Sequence, residues 1–419
     1  MRRSRALLTS LLRIALLLAT FLLIPIAVSL FATDCSPGVK TLDDNALSYR
    51  PLPQLSPDHG YLLGLVDGEL TLAEFPAGEV NRTFRAESKH KVVGIAWSPS
   101  GDVFAYHTEH SEPEGRGGIY LAHLNGSTEK ISDLEPPDLG PREILWSPSG
   151  RYLFWDKPFS VYDRETGELF VRSDIDDGFS FVRSPLFSGN ESQLAYTLFE
   201  SAGPENLWIL DLGSGNTRQV TDEGEGDYPF HWIDNTRLLV RTGAVGTGGG
   251  HISGLASINV ETGDRTPVDV GSAVDLGPET SPFRRLHIVE GISPDEGYVI
   301  GESRSPAGDE SWIYSLDLAG GAPEIILRGE SPSEAYMLLH VLWVDTDEMI
   351  LAVRRTVHDD AGNRSNDRYQ MYAYTISSGA HLLIDGDAAM HPLCIVDGRL
   401  YYLESDDMDL CSLRNIPAE

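Results

Sequence analysis

The stretch WSPSGRYLFW, residues 146–155, decides the fold of this chain, because close copies of it recur along the sequence. The copy WSPSGDVFAY occupies residues 97–106, and related copies begin as LSPDHGYLLG at Leu55 and as ISPDEGYVIG at Ile292. Each copy has two apolar stretches separated by a tight turn, in which proline presets φ and glycine accepts a positive φ. Each unit is therefore predicted to be a strand, a turn and a second strand.

Four weaker copies of the unit are anchored at Phe187, Trp232, Trp343 and Ile395, which brings the number of anchors to eight. Successive anchors are 42, 49, 41, 45, 60, 51 and 52 residues apart. This spacing is the period of a four-stranded propeller blade rather than that of a helical array. The sequence therefore predicts an all-β protein.

Further strands complete each repeat. In the repeat anchored at Trp97, the second, third and fourth strands are expected at residues 103–107, 119–124 and 129–132. The last repeat lacks its fourth strand, and residues 41–49 are expected to supply it and to close the ring. We predict a β-propeller of eight blades closed by N- and C-terminal strands. The alternative is seven blades, with the last repeat displaced or merged with the first.

These units resemble the blades of TolB-like and WD-repeat-like β-propellers, in which Trp-Ser-Pro-Asp-Gly precedes a strand of the Leu-Ala-Phe type. The resemblance covers residues 50–413 and implies a propeller fold without implying a function. TolB has an α/β domain before its propeller, and residues 35–49 are too short for one, so a role in a Tol-type system is not expected. The propeller domain of dipeptidyl-peptidases is similar too, and in this chain we expect it without the hydrolase domain.

The first 33 residues are predicted to be an export segment rather than part of the propeller. Several arginines precede an uncharged apolar run of 18 residues, Ile14 to Phe31, which is just long enough to span a bilayer as one helix. Ala27-Val28-Ser29 is an acceptable cleavage site, yet the run continues beyond it, so a cleaved signal peptide and an uncleaved anchor both stay open. Residues 34–49 are then a linker with the closing strand, residues 50–415 are the propeller, and the protein is extracytoplasmic.

Charge and cysteine content restrict the partners and the crosslinks. The formal charge of −31 argues against nucleic acid, whose phosphates need clustered cations. Cys394 and Cys411 are expected on the first and third strands of the last repeat, near 10 Å apart and beyond the reach of a disulfide. A bond from Cys35 to either of them would join the chain ends, and free buried thiols are the alternative.

Long insertions between second and third strands start at Thr108, Ser201, Gly243, Ser303 and Val357, and all are expected on one face of the propeller. Insertions gathered on one face often mark a binding side. His107 and His110 form a short-spaced pair there, but the region has no second cluster with metal-ligand spacing, so neither a metal nor another cofactor is predicted. The candidate residues of this face are His107, Glu109, His110, Glu112, Glu114, His358, Asp359 and Asp360.

A second group of polar residues is expected at the starts of the inner strands, near the mouth of the central channel: Glu143, Glu290, His340 and His391. These residues are either the lining of a ligand funnel or ordinary polar caps of strand ends.

The sequence contains neither a Gly-X-Ser-X-Gly nor a His-Glu-X-X-His motif. We therefore predict an extracytoplasmic binding scaffold that recognises a protein, peptide or glycan of the cell envelope through its looped face. The alternative is a propeller hydrolase or lyase with its site at the channel mouth. A structural protein whose acidic surface requires cations is a third reading.

Overall fold

A computed structural model describes the following residues of the chain: 33–35, 53–66, 68–86, 90–112, 115–134, 143–172, 175, 181–199, 205–222, 225–244, 251–268, 285–304, 311–318, 324–328, 334–358, 364–385, 389–396, 399–404 and 410–414. This part of the chain contains strands and turns and no helix, so the all-β prediction is confirmed for it. None of its segments is a helix long and apolar enough to cross a membrane. The expected export segment, residues 1–33, lies outside it except for Thr33, which is the first residue of β1 (Thr33–Cys35).

The strands form eight four-stranded antiparallel sheets, and in each sheet the first strand pairs with the second, the second with the third and the third with the fourth. Sheet 1 contains β2 (Gln54–Leu55), β3 (Tyr61–Val66), β4 (Glu69–Glu74) and β5 (Val80–Phe84). Sheet 2 contains β6 (His90–Trp97), β7 (Val103–His110), β8 (Gly117–His123) and β9 (Thr128–Leu134). Sheet 3 contains β10 (Ile144–Trp146), β11 (Tyr152–Asp156), β12 (Phe159–Asp163) and β13 (Glu168–Val171). Sheet 4 contains β14 (Phe181–Phe187), β15 (Gln193–Phe199), β16 (Asn206–Asp211) and β17 (Thr217–Gln219).

Sheet 5 contains β18 (Glu225–Trp232), β19 (Arg237–Ala244), β20 (His251–Asn259) and β21 (Arg265–Val268). Sheet 6 contains β22 (Arg285–Ile292), β23 (Tyr298–Arg304), β24 (Ser311–Asp317) and β25 (Glu324–Arg328). Sheet 7 contains β26 (Glu334–Trp343), β27 (Glu348–His358), β28 (Arg364–Thr375) and β29 (Ala380–Asp385). Sheet 8 contains β30 (Ala389–Val396), β31 (Arg399–Glu404), β32 (Leu410–Arg414) and, as its fourth strand, β1 (Thr33–Cys35).

The Ser-Pro turns connect first and second strands as the repeat predicts. In sheet 3 the Ser147 hydroxyl accepts the Tyr152 amide at 3.0 Å, and the Ser147 amide donates to the Tyr152 carbonyl at 2.8 Å. Gly150 has φ 78°, the left-handed region that glycine adopts without strain. The anchor serine is fully buried, so its hydroxyl satisfies backbone groups that water cannot reach. These turns define one face of the molecule, the turn face.

Each sheet packs on the next through its own hydrophobic cluster, and a further cluster joins sheet 8 to sheet 1. In that cluster the rings of Phe75 and Tyr401 meet edge to face with centroids 4.8 Å apart. Anchor tryptophans add hydrogen bonds between sheets: the Trp146 indole donates to the Ala96 carbonyl at 3.0 Å and the Trp97 indole to the Gln54 carbonyl at 3.2 Å. The core therefore lies between the sheets, as in a propeller.

The strand that completes sheet 8 is β1, and the expectation that residues 41–49 would do so is corrected. Residues 33–35 pair with β32, with Thr33 opposite Leu413 and Cys35 opposite Cys411. Residues 41–49 lie outside the described part of the chain. A three-residue strand is too short to show an alternating pattern, which is why the sequence pointed to the wrong stretch.

The second strands extend further than expected. The strand predicted for residues 103–107 runs to His110 as β7, and β27 runs to His358. Five second strands precede the long insertions, and their ends define the looped face: His110, Phe199, Ala244, Arg304 and His358. First strands begin on this face and end at the Ser-Pro turns, so the looped face and the turn face are opposite.

Candidate functional site

Five consecutive sheets carry a polar residue at one equivalent position of the second strand. In the turn before each of these strands a backbone amide donates to the carbonyl of a second-strand residue, as the Ser147 amide donates to Tyr152 in sheet 3. The equivalent position lies four residues after that acceptor residue. The other sheets have apolar residues there, among them Leu65 and Ala352. We call these five residues the polar belt: His107, Asp156, Thr197, Arg241 and Glu302. All except Arg241 are buried, so the belt is a polar layer within the apolar packing of the sheets.

Members of the belt hold inner strands in place. The carboxylate of Asp156 accepts the backbone amide of Glu143 at 3.1 Å, just before β10 begins. The carboxylate of Glu302 accepts the amide of Leu338 at 2.9 Å, in the inner strand of the next sheet. Hydrogen bonds of this kind offset the cost of burying a polar group. The belt thus positions the backbone at the looped end of the inner strands.

Glu143 is the predicted site residue with the most distinctive environment. Its surface is exposed, yet the surrounding protein desolvates the carboxyl group. Desolvation, the largest cause, and the negative charge of Asp156 together raise the pKa of Glu143 to about 7, while the charge of Arg241 opposes the shift. The carboxyl group therefore exchanges its proton near neutral pH.

Arg241 brings a cation to the same region from sheet 5. Its guanidinium donates to the Ser184 hydroxyl at 3.2 Å and lies 5.7 Å from the Phe230 ring centroid. Ser184 belongs to β14 in sheet 4 and has φ 50°, a strained conformation for serine, at a register shift between Arg183 and Leu186. Arg241 therefore contacts sheet 4 through Ser184 and acts electrostatically on Glu143 of sheet 3. We call these residues the mouth cluster: Glu143, Asp156, Ser184 and Arg241.

Three of the predicted mouth residues lie where inner strands are irregular. Pairing shifts between Ile288 and Ile292 in β22, between Leu338 and His340 in β26, and between Ala389 and His391 in β30. Such bulges turn side chains out of the regular alternation and are frequent next to functional sites. His340 is half-buried and burial lowers its pKa. For Glu290 and His391 the structure describes the backbone alone, and their side chains lie outside the description.

His107 and His110 do not form the pair that their spacing predicted. They are three residues apart on the regular strand β7, so they face opposite sides of the sheet. His107 is 5% exposed and faces Gly94 of β6; burial lowers its pKa to about 4. His110 instead meets His90, with ring centroids 5.0 Å apart. The imidazole pair of sheet 2 is therefore His90 with His110.

The remaining residues of the looped face are dispersed. Glu109 lies on β7, and Glu112 is exposed just beyond it. The backbone of His358 ends β27, while Glu114, Asp359 and Asp360 lie outside the described residues. Within the described ranges no three His, Cys, Asp or Glu side chains are grouped so as to hold a metal ion.

The belt escaped the sequence analysis, although a signal for it was present. Aligning the second strands on their turns would have placed His107, Asp156 and Arg241 in one column where other repeats carry leucine or alanine. The pattern of one strand alone does not reveal the belt, because a single polar residue near a strand end is typical of a strand end exposed to solvent.

Comparison with solved structures supports the fold. A prolyl endopeptidase structure matches with a TM-score of 0.51 and 13% identity, over 86% of this chain and 53% of that one. The oligogalacturonate lyase from Vibrio parahaemolyticus matches with a TM-score of 0.49 and 11% identity, over 93% and 97% of the two chains. A putative TolB from Agrobacterium tumefaciens matches with 17% identity and a TM-score of 0.34, over 52% and 79%. No protein-family model and no curated protein sequence matches the chain.

At 13% identity the likeness to the prolyl endopeptidase concerns the fold alone, and it transfers no activity. The chain spans about half of the prolyl endopeptidase, 53% of its length.

Proposed function

We propose that this protein is an extracytoplasmic binding propeller, with its eight sheets closed into one eight-bladed ring. It takes up a polar segment of a protein, a peptide or a glycan at the looped-face mouth. One observation carries the proposal: sheet 3 contributes the exposed Glu143 and the buried Asp156 to the mouth cluster, and sheet 5 contributes the guanidinium of Arg241. Carboxylates accept and a guanidinium donates hydrogen bonds, so the cluster suits groups that do both, such as sugar hydroxyls or peptide units.

The direction of β1 supports binding on the looped face. Arg414 at the end of β32 lies opposite Arg399 at the start of β31, so β32 runs towards the turn face. The antiparallel β1 therefore enters from the turn face, directly after the apolar run that ends at Phe31. A membrane that holds this run lies on the side of the turn face, and the looped face points away from it towards partners.

Headgroup quenching tests this orientation in vesicles that carry the full chain. A fluorophore at exposed Glu79, between β4 and β5 on the turn face, should be quenched by labelled lipids more than one at exposed Ser111 beyond β7. Stronger quenching at Ser111 would contradict the proposed orientation and place the looped face next to the membrane.

Arrays of oligosaccharides and peptides test the binding function. The exported protein should retain a defined subset, and Arg241→Met should lose at least tenfold in affinity for it, because a charged hydrogen bond contributes about 1.5–3 kcal/mol. Arg164→Met is the matched control, since Arg164 pairs with Asp102 at 2.6 Å on the turn face. The proposal would be refuted if the protein retained no oligosaccharide or peptide, or if the two variants lost the same amount of affinity.

An enzyme is the second candidate, and the pKa of Glu143 favours it. A carboxyl group that exchanges its proton near pH 7 beside a second carboxylate can serve as a general acid or base. The observation to seek is turnover: a retained ligand that is converted by the wild type and left intact by Glu143→Gln identifies a hydrolase or lyase. Retention without conversion supports the binding scaffold.

A further inference from the structure

Three cysteines occur in the chain, and the strand order of sheet 8 distinguishes them. Cys394 lies in the first strand, β30, opposite Tyr401. Cys411 lies in the third strand, β32, and Cys35 in the fourth strand, β1. Strands are about 4.8 Å apart, so Cys394 is about 10 Å from Cys411 and about 14 Å from Cys35 at the closest. A disulfide requires Cα atoms within about 7 Å, and Cys394 therefore has no partner in this sheet.

Cys35 and Cys411 are direct partners across the antiparallel pair β1–β32. Residues that face each other in such a pair have Cα atoms about 4.5 or 5.5 Å apart, and both values fall in the range that disulfides span. Opposed residues also lie on the same side of the sheet. We propose that Cys35 and Cys411 form a disulfide that covalently closes the propeller.

The position of this bond suits the strand that it would hold. β1 has three residues and, among the described strands, pairs with β32 alone, so few hydrogen bonds secure it. The crosslink joins residues near both ends of the chain, and a loop of this length is the case in which a crosslink restricts the unfolded chain most. The candidate cleavage site Ala27-Val28-Ser29 precedes Cys35, so processing there retains the bond.

Thiol–disulfide exchange forms the bond in balanced steps. The thiolate of one cysteine attacks a carrier disulfide, such as oxidised glutathione or an oxidised dithiol oxidoreductase, and releases one carrier thiol. The second thiolate then attacks the resulting mixed disulfide at the protein sulfur and releases the second carrier thiol. Two protein thiols are oxidised, their two protons leave, and the carrier disulfide takes up two electrons. An extracytoplasmic compartment maintains such carriers.

Cys394 provides an internal control. Its thiol is free and buried, and burial raises its pKa to about 11, so it is a poor nucleophile at neutral pH. The proposal therefore predicts one reducible bond and one inert thiol in each chain.

Peptide mapping under non-reducing conditions tests the proposal on the purified full chain. After incubation with oxidised glutathione, we expect one linked peptide pair that contains Cys35 and Cys411, a mass lower by two hydrogen atoms, and one thiol titratable after denaturation. Cys35→Ser and Cys411→Ser should abolish the linked pair, and Cys394→Ser should retain it. Reductant should lower the unfolding temperature of the wild type and of Cys394→Ser, and should leave that of Cys35→Ser unchanged.

Three results would overturn the proposal: three titratable thiols after oxidation, a linked peptide that contains Cys394, or disulfide-linked dimers in place of the intramolecular bond. Oxidation of the purified protein tests the pairing alone. The cysteine state of protein recovered from cells tests the compartment, so a failure of the proposed location is distinguishable from a failure of the crosslink.

Discussion

Glu143 shows how a single carboxyl group can be open to solvent and still hold its proton near neutral pH. The surrounding protein desolvates the group, and the nearby charge of Asp156 opposes its ionisation. Arg241 limits the shift without cancelling it. A ligand that brings a cation or a hydrogen-bond donor to Glu143 would favour the ionised form, so binding at the mouth cluster should release protons near pH 7.

Stability should depend on pH through Glu143 in a defined direction. The folded pKa of about 7 lies above the ordinary value of 4.5, so the native state retains a proton that the unfolded state loses. The contribution of Glu143 is most favourable below pH 4.5 and is lost as the pH rises through 7. Because the group is accessible to water, which screens its interactions, we expect a loss of about 1 kcal/mol.

Urea unfolding of the wild type and of Glu143→Gln at pH 5 and pH 8 measures this loss. Burial lowers the pKa of His107 to about 4, so His107 stabilises the fold less as the pH falls, in both proteins alike. The difference between the two proteins therefore isolates Glu143. Equal pH dependence in both would contradict the assigned environment of Glu143.

The sequence placed Glu143 at the start of an inner strand, and in the structure Glu143 directly precedes β10. Its role at a channel mouth stays a prediction. The sequence missed Asp156 and Arg241, which act on that carboxyl group from other strands. It also misjudged His110, whose partner His90 is distant in sequence and adjacent only through the pairing of β6 with β7.

Among the elements, the anchor tryptophans connect one sheet to the preceding one. The Trp146 indole donates to the Ala96 carbonyl at 3.0 Å, whereas the buried indole nitrogen of Trp343 has no hydrogen-bond partner within the described residues. A buried carbonyl that loses its donor destabilises a protein by about 1–3 kcal/mol. Trp146→Phe should therefore lower the free energy of unfolding by about 1–2 kcal/mol more than Trp343→Phe does.

Denaturation midpoints of the two phenylalanine variants test this difference, since both variants lose one ring of the indole and only Trp146→Phe also breaks a bond between sheets. Equal shifts of the two midpoints would show that ring packing, rather than the hydrogen bond, secures the anchor.

Elements with a strong local signal were predicted well. Seven of the eight inner strands end at the predicted anchor, and the eighth ends one residue later, at Val396. Proline and glycine specify these turns locally, so the sequence alone suffices. The bulges of β22, β26 and β30 could not be predicted, because they depend on pairing with the next strand and leave no residue signature.

At the scale of the whole molecule, the repeat accounts for the architecture, and its turns lie on the face opposite the proposed site. The Ser-Pro turns lie on the turn face, and the mouth cluster lies at the opposite ends of the inner strands. The hydrophobic cluster between sheets 8 and 1 and the pairing of β1 with β32 bring the chain ends into one sheet. The sequence predicted that closing arrangement but not the closing residues.

Hydrogen exchange of the protein alone and with its most strongly retained array ligand tests the central claim most directly. Binding at the mouth should slow exchange at the backbone amides of residues 143–146, 181–187 and 237–244, which contain Glu143, Ser184 and Arg241 of the mouth cluster. The Ser-Pro turns at residues 98–101, 147–150 and 293–297 should exchange as before. Protection confined to those turns, with the mouth unchanged, would contradict a binding site on the looped face.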